Sequence, residues 1–411
     1  MSQIPSNVSR LMRASVALAV LVAANDDGDV FAAAPKTAKK TKDVRASEAT
    51  GVALVRVPER GIQSQAAVDT EGTLHLIYLG DEPGAANVYY VRKSAGSERF
   101  SNPARVNSQP GSAIAIGSIR GAHLALGRGN RVHVAWNGSN TAEPKGSVKY
   151  GNPMLYSRLA EDGSQFEPQR NIIDKAYGLD GGGSVAADLD GNVYVAWHAG
   201  DGTGEVNRRV WLVHSTDDGT TFNKEMPADS NKEGVCGCCG LKAFADRQGT
   251  VYVLYRSARE KLNRDMVLLT STNHGKNFRS EVTGKWMIAT CPMSSEAFAD
   301  GAESLVSAWE TEGQVYFAHT DKDQHLSSRP IAPPGAAAGR KHPALAVNGR
   351  RETILVWTEG TGWEKGGALA WQIFDEKGKP TGARGRTPDA IPVWSFAAVY
   401  TAADDSFVIV H

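Results

Sequence analysis

The chain predicts an all-β fold, a six-bladed β-propeller of four-stranded antiparallel blades, on three observations. Six segments (66–78, 124–136, 185–197, 243–255, 297–309 and 345–357) share one pattern. Each runs from an apolar stretch through a polar turn into a return strand that alternates at period two and closes on an aromatic. The closing aromatics Tyr78, Trp136, Trp197, Tyr255, Trp309 and Trp357 stand 58, 61, 58, 54 and 48 residues apart. A period of about 50 residues with four strands fits one blade, whose sheet cannot bury both faces alone. After residue 50 there is no helical periodicity of useful length.

The elements follow in order. Arg10 and Arg13 precede an apolar run at 14–24, which is too short to span a bilayer and suits the apolar region of a signal peptide. Ala32, Ala33 and Ala34 offer a cleavage site. Residues 1–34 are therefore expected to be a signal peptide, 35–49 a flexible basic linker, and 50–411 the propeller. Export would make the mature chain secreted or periplasmic, with no transmembrane segment. Within each unit a third strand follows the hairpin (88–92, 154–158, 210–214, 266–271, 315–319 and 368–373), then a turn and a fourth strand. Residues 394–410 are expected to supply closing strands.

One turn recurs almost intact. Ser215-Thr216-Asp217-Asp218-Gly219-Thr220-Thr221-Phe222 returns 56 positions later as Ser271-Thr272-Asn273-His274-Gly275-Lys276-Asn277-Phe278. Serine and Asp or Asn can hydrogen-bond nearby amides, glycine supplies a positive φ, and phenylalanine pins the turn to the sheet. Weaker copies stand at 161–166 and 96–100. The turn resembles the Asp box, or BNR repeat, of sialidases and related propellers, with Asn273 in place of Asp in the second copy. The resemblance covers residues 50–411 as architecture and only the turn as sequence. In that family the box marks the fold and lies away from the active site.

The resemblance implies an anionic glycan or glycoconjugate, bound or hydrolysed at the channel mouth. Sialidases hold the substrate carboxylate with three arginines, whose planar forks match it. They add a tyrosine nucleophile activated by Glu, and an Asp acid/base. This chain lacks the family's early Phe/Tyr-Arg-x-Pro motif; Arg60 lies near the corresponding place, in Pro58-Glu59-Arg60-Gly61. On this reading Arg60, Arg120, His123, Arg256 and Arg264 bind the anion, and Glu310 or Asp265 is the acid/base. No motif singles out a tyrosine.

The cysteines point to a different chemistry. Cys236-Gly237-Cys238-Cys239-Gly240 precedes the first strand of unit four, and Cys291-Pro292-Met293 the first strand of unit five. First strands line the channel of a propeller, so both groups are expected at one mouth in adjacent blades. The equivalent positions elsewhere are Arg60-Gly61-Ile62-Gln63, Arg120-Gly121-Ala122-His123, Asp180-Gly181-Gly182-Gly183-Ser184 and Lys341-His342-Pro343. Three chemistries stay open. Cys236, Cys238, Cys239, Cys291, Met293 and His342 offer soft ligands suited to copper or zinc. An even cysteine count in an exported chain suits structural disulfides. Redox chemistry or another ligand is the third.

Other classes are excluded by context. Lys+Arg and Asp+Glu both total 45 and the aromatics sit at strand positions, so there is no nucleic-acid footprint. Gly181-Gly182-Gly183 does not join a strand to a helix, and no G-x-S-x-G or H-E-x-x-H motif occurs. Asp188-Leu189-Asp190-Gly191-Asn192 falls where the other units have a hairpin turn, which favours a turn over a calcium loop. A noncatalytic interaction scaffold remains a further class, because fold does not dictate function.

Overall fold

Seven sheets, not six, ring a central channel. The computed structural model describes residues 45–47, 51–146, 151–176, 178–200, 204–228, 234–301, 304–320, 325, 329–337 and 339–411. The expected signal peptide, and the expected linker apart from Arg45–Ser47, lie outside the described residues.

Blades one to six follow the six sequence units. Their innermost strands are Ile62–Val68, His123–Leu126, Gly183–Ala187, Leu241–Ala245, Ala297–Asp300 and Arg340–Val347. Five of these blades have four strands. The fifth has three among the described residues, with Phe317 bridging to Ile331 beyond them.

The seventh blade corrects the predicted count. Its inner strand is Ala398–Thr401, followed outward by Phe407–Val410, Val52–Val55 and Arg45–Ser47. Val52–Val55 pairs parallel with Phe407–Val410, whereas the other pairings in this sheet are antiparallel. The blade is assembled from both ends of the propeller, so no contiguous repeat encodes it. Residues 394–410 do supply closing strands, but to a blade of their own.

The strand turns follow from local chemistry. Asp69, Asp188 and Asp246 each accept the backbone N–H groups two and four residues on with one carboxylate oxygen. Asn348 does the same in blade six. This satisfies amides that the ladder leaves unpaired at the hairpin tip. In the repeated turn, Ser215 Oγ accepts Gly219 N–H at 2.8 Å and Ser271 Oγ accepts Gly275 N–H at 2.9 Å. Phe222 and Phe278 then pack against the apolar layers beside their blades.

The core is divided rather than central. Seven apolar clusters lie one at each interface between neighbouring blades, an independent count of the blades. Trp136, Trp197, Trp309, Tyr78 and Tyr255 among the closing aromatics are fully buried there. Propeller blades bury their flat faces on each other, leaving the inner strands to line a channel. Among the described residues no helix is long and apolar enough to cross a membrane.

Candidate functional site

The loops that enter the inner strands converge at one mouth of the channel. Gln63, Met293, His342 and Trp394 there have φ of 54, 49, 50 and 58°, the left-handed region that costs non-glycine residues energy. Gln63 is held by three amide hydrogen bonds, to Ala115 O at 2.8 Å, Gly117 O at 3.0 Å and Trp394 O at 2.9 Å. Such strain persists because the ring over-determines these loops.

The cysteine loop is wedged between blades three and four. Gly181 N–H donates to Gly237 O at 2.9 Å, and His198 Nε2 meets Cys239 O at 3.0 Å. A Cβ on Gly182 would come within 2.6 Å of the His198 ring and 3.0 Å of Cys239 O, and φ there is +47°. The glycine run of unit three makes room for the cysteine loop. Burial holds His198 down to about 4, so the ring is neutral.

Three thiols meet in that loop. Cys236 Sγ lies 3.1 Å from Cys239 Sγ and 3.5 Å from Cys238 Sγ, and the three sulphurs all fall within 4.8 Å of one another. Cys236 and Cys239 are buried, Cys238 is half-buried and Cys291 is exposed. All four are free thiols in the structure. A second trio joins the first through Cys238, whose sulphur lies within 4.8 Å of both Cys291 and a Glu205 oxygen.

The charges around the sulphurs are unusual. Arg256 is 0% exposed; Nε donates to Ser294 Oγ at 3.0 Å, Nη1 to Arg264 O at 2.6 Å, and Nη2 to Glu310 O. The Ser294 hydroxyl in turn points to Cys239 Sγ at 3.9 Å. Burial opposes ionisation of Cys239, but donation from the Cys236 and Cys238 thiols and the charge of Arg256 outweigh it and hold its thiol well below the ordinary value. Cys236, hydrogen-bonded to Cys238 and Cys239, is pushed upward. The directions of these shifts favour a thiolate on Cys239 over one on Cys236.

Two carboxyls nearby are shifted toward the neutral form. Burial pushes Glu310 up to about 7 against the pull of Lys341 and Arg256. Burial and then the Cys239 charge push Glu296 well above the carboxylate range. Both Glu296 oxygens and Glu310 Oε2 are buried without a hydrogen-bond partner.

The sequence candidates divide between partners. Arg264 holds Glu205 at 2.8 Å, and Arg120 holds Asp180 at 2.5 Å. Asp265 pairs with Arg259 at 3.1 Å and accepts Trp286 N–H at 3.0 Å. Arg60 is exposed on the short turn before blade one. His123 lies deeper in the channel, with Nδ1 3.2 Å from Ser184 Oγ and 3.2 Å from Lys242 Nζ. Burial lowers Lys242 to about 8. His342 spends both ring nitrogens on Ser118 and Ser295, at 2.9 and 3.0 Å. Met293 joins His342, Trp363 and Trp394 around a small crevice that none of the cysteines lines.

The structure therefore brings Cys236, Cys238, Cys239, Cys291, Arg256, Arg264 and Glu310 together. It leaves Arg60, His123, Met293 and His342 outside that cluster. Ser294 and Glu296 were missed in the sequence; their signal was position alone, in the loop that carries Cys291 into blade five.

No family model matches the chain, and no curated protein does. Among solved structures it is similar to a Hadza microbial sialidase, at 14% identity over 79% of this chain and 70% of that one, with a TM-score of 0.46. An unknown-function protein of Dyadobacter fermentans is 13% identical over 73% and 90%, at 0.49. The intramolecular trans-sialidase of Ruminococcus gnavus is 12% identical over 83% and 88%, at 0.43, and a polysaccharide lyase is 8% identical over 79% and 82%, at 0.46. The blade count and the site rest on the strand order and contacts above, not on these likenesses.

Proposed function

We propose that the channel mouth binds a soft metal ion, copper(I) or zinc, on the thiolates of Cys236, Cys238 and Cys239. Arg256 is the observation that carries this reading. It is wholly buried, its hydrogen bonds go to neutral acceptors, and among the described residues no carboxylate forms a salt bridge with it. A buried cation without a counter-ion is strongly unfavourable. The nearby carboxyls are shifted toward their neutral forms, and thiolates of the sulphur trio would supply the missing negative charge. Thiolate is also the form that ligates soft metals. Met293 and His342, counted among the sequence's soft ligands, are not needed.

The test is metal content together with free-thiol count on purified, unreduced protein. Stoichiometric copper or zinc is expected, lost in Cys236→Ser. Metal-free protein without free thiols would make the cysteines disulfide partners and end the reading.

An anionic glycan is the second reading, favoured by a cavity of about 660 Å³ among the turns of blades one, two and three, on the face opposite the cysteines. Arg92, Arg128, Arg131 and Arg158 line it, interleaved with Asp69, Glu71, Glu161, Asp217 and Asp218. Its size falls within the roughly 300–1,000 Å³ of small-molecule pockets, as does a cavity of about 470 Å³ bounded by the inner strands, whereas the one nearer the mouth holds about 110 Å³. Binding of a sialylated or uronate oligosaccharide, weakened in Arg92→Ala with Arg128→Ala, would support it. Turnover lost in Glu310→Gln or Asp265→Asn would instead place hydrolysis at the mouth.

A further inference from the structure

We infer that Cys238 is a bridging ligand, shared by an inner Cys236–Cys238–Cys239 position and an outer Glu205–Cys238–Cys291 position, so that the mouth takes two soft ions. The inference rests on the soft-metal reading above. The two trios have only Cys238 in common. Thiolate sulphur keeps lone pairs after binding one ion and readily bridges a second.

Burial grades along the pair. Cys236 and Cys239 are closed off, Cys238 and Glu205 are half-buried, and Cys291 faces solvent. An ion meets the outer trio first and reaches the inner one without leaving Cys238. Glu205 is already aimed: Oε1 accepts Gly237 N–H at 2.9 Å and Oε2 accepts from Arg264 at 2.8 Å. Such outer hydrogen bonds orient ligating carboxylates in metal sites.

Arg264 provides an independent observation. Its residue is 4% exposed, and Nε and Nη1 are buried without a hydrogen-bond partner among the described residues. Its charge faces Cys236 and Cys238 as well as Glu205. One carboxylate therefore leaves two buried donors of this guanidinium unspent. Sulphur ligands of both trios, anionic when metal-bound, would face them.

The test is anaerobic titration of the reduced full chain with cadmium alone, and separately with copper(I) alone, counting ions retained after gel filtration. Two per chain are expected, falling to one in Cys291→Ser and in Glu205→Gln, and the two cadmium ions should show mutual scalar coupling by cadmium NMR. Cys291 is exposed, so its serine variant is expected to fold; an unchanged circular dichroism spectrum checks that. One ion in the wild type, unaffected by Cys291→Ser, would overturn the bridge and leave the single-ion reading standing. Two ions without coupling would also overturn it. No retained ion would remove the soft-metal reading itself.

Discussion

Glu310 is a carboxyl whose burial delays its ionisation, and this gives the protein a pH dependence of definite sign. Burial holds it at about 7 in the native state, against an ordinary value of 4.5. Below the ordinary value both folded and unfolded chains are protonated, so the group is neutral in effect. Between 4.5 and about 7 the unfolded chain ionises while the folded one does not, and native stability falls. Above that window the loss is constant, on the order of 3 kcal/mol. In metal-free protein, Glu310→Gln should flatten the decline, so that the variant gains on the wild type between pH 5 and pH 8 in denaturant unfolding. Parallel curves would show that Glu310 does not titrate in that range. This residue was visible in the sequence because it directly follows the closing aromatic Trp309, where the strand reaches the mouth. Its upward shift was not visible, since it depends first on burial, with Cys239 adding to it. The cysteines were placed correctly at the mouth from their position before first strands, but Ser294's link to Arg256 is a contact between blades that no single repeat contains.

The repeated turn is the element most legible in sequence, because the bonds that shape it are local, although Arg158 and Arg170 also reach its first copy from blade two. Asp217 accepts from Ser215 Oγ at 2.7 Å, Thr221 N–H at 2.8 Å and Thr221 Oγ1 at 2.7 Å. Asn273 accepts from Ser271 Oγ at 2.9 Å and Asn277 N–H at 3.0 Å. A slight desolvation raises the Asp217 carboxyl, but the Thr221 and Ser215 hydrogen bonds outweigh it and hold it at about 2. Its contribution is thus present above its ordinary 3.8 and lost as pH falls through about 2. Hydrogen bonds to a charged acceptor contribute about 1.5–3 kcal/mol, and neutral ones about 1 kcal/mol. At neutral pH, Asp217→Ala should therefore destabilise by more than Asn273→Ala, with both variants keeping wild-type metal content. Equal losses of stability would mean that the carboxylate charge adds nothing to the turn. The glycines before Ser184 are less legible, because the backbone they admit belongs to the cysteine loop of the next blade.

The whole molecule is where the repeat count failed, and the reason is topological. Six units carry a contiguous hairpin that periodicity can find; the seventh draws one hairpin from 398–410 and its outer strands from before residue 56. That seam turns a linear array, whose repeats would have nearly independent stabilities, into a closed ring. Val52 is 3% exposed, and Phe407, Ile409 and Val410 are fully buried beside it. Removing residues 1–56 takes Val52–Val55 from the parallel ladder and uncovers that apolar face. Loss of Val52's burial alone costs about 1.5–3 kcal/mol, before the exposure of Phe407 and Ile409 is counted. Removing residues 1–44 leaves all four strands of the blade in place. The shorter deletion should match the full chain in thermal unfolding, and the longer one should melt well below it, in one transition. Hydrogen exchange should rise in blades three to five as well, although they lie across the ring from the seam. If exchange rises only in blades one, six and seven, the blades unfold separately and closure does not couple the seam to the cysteine loop.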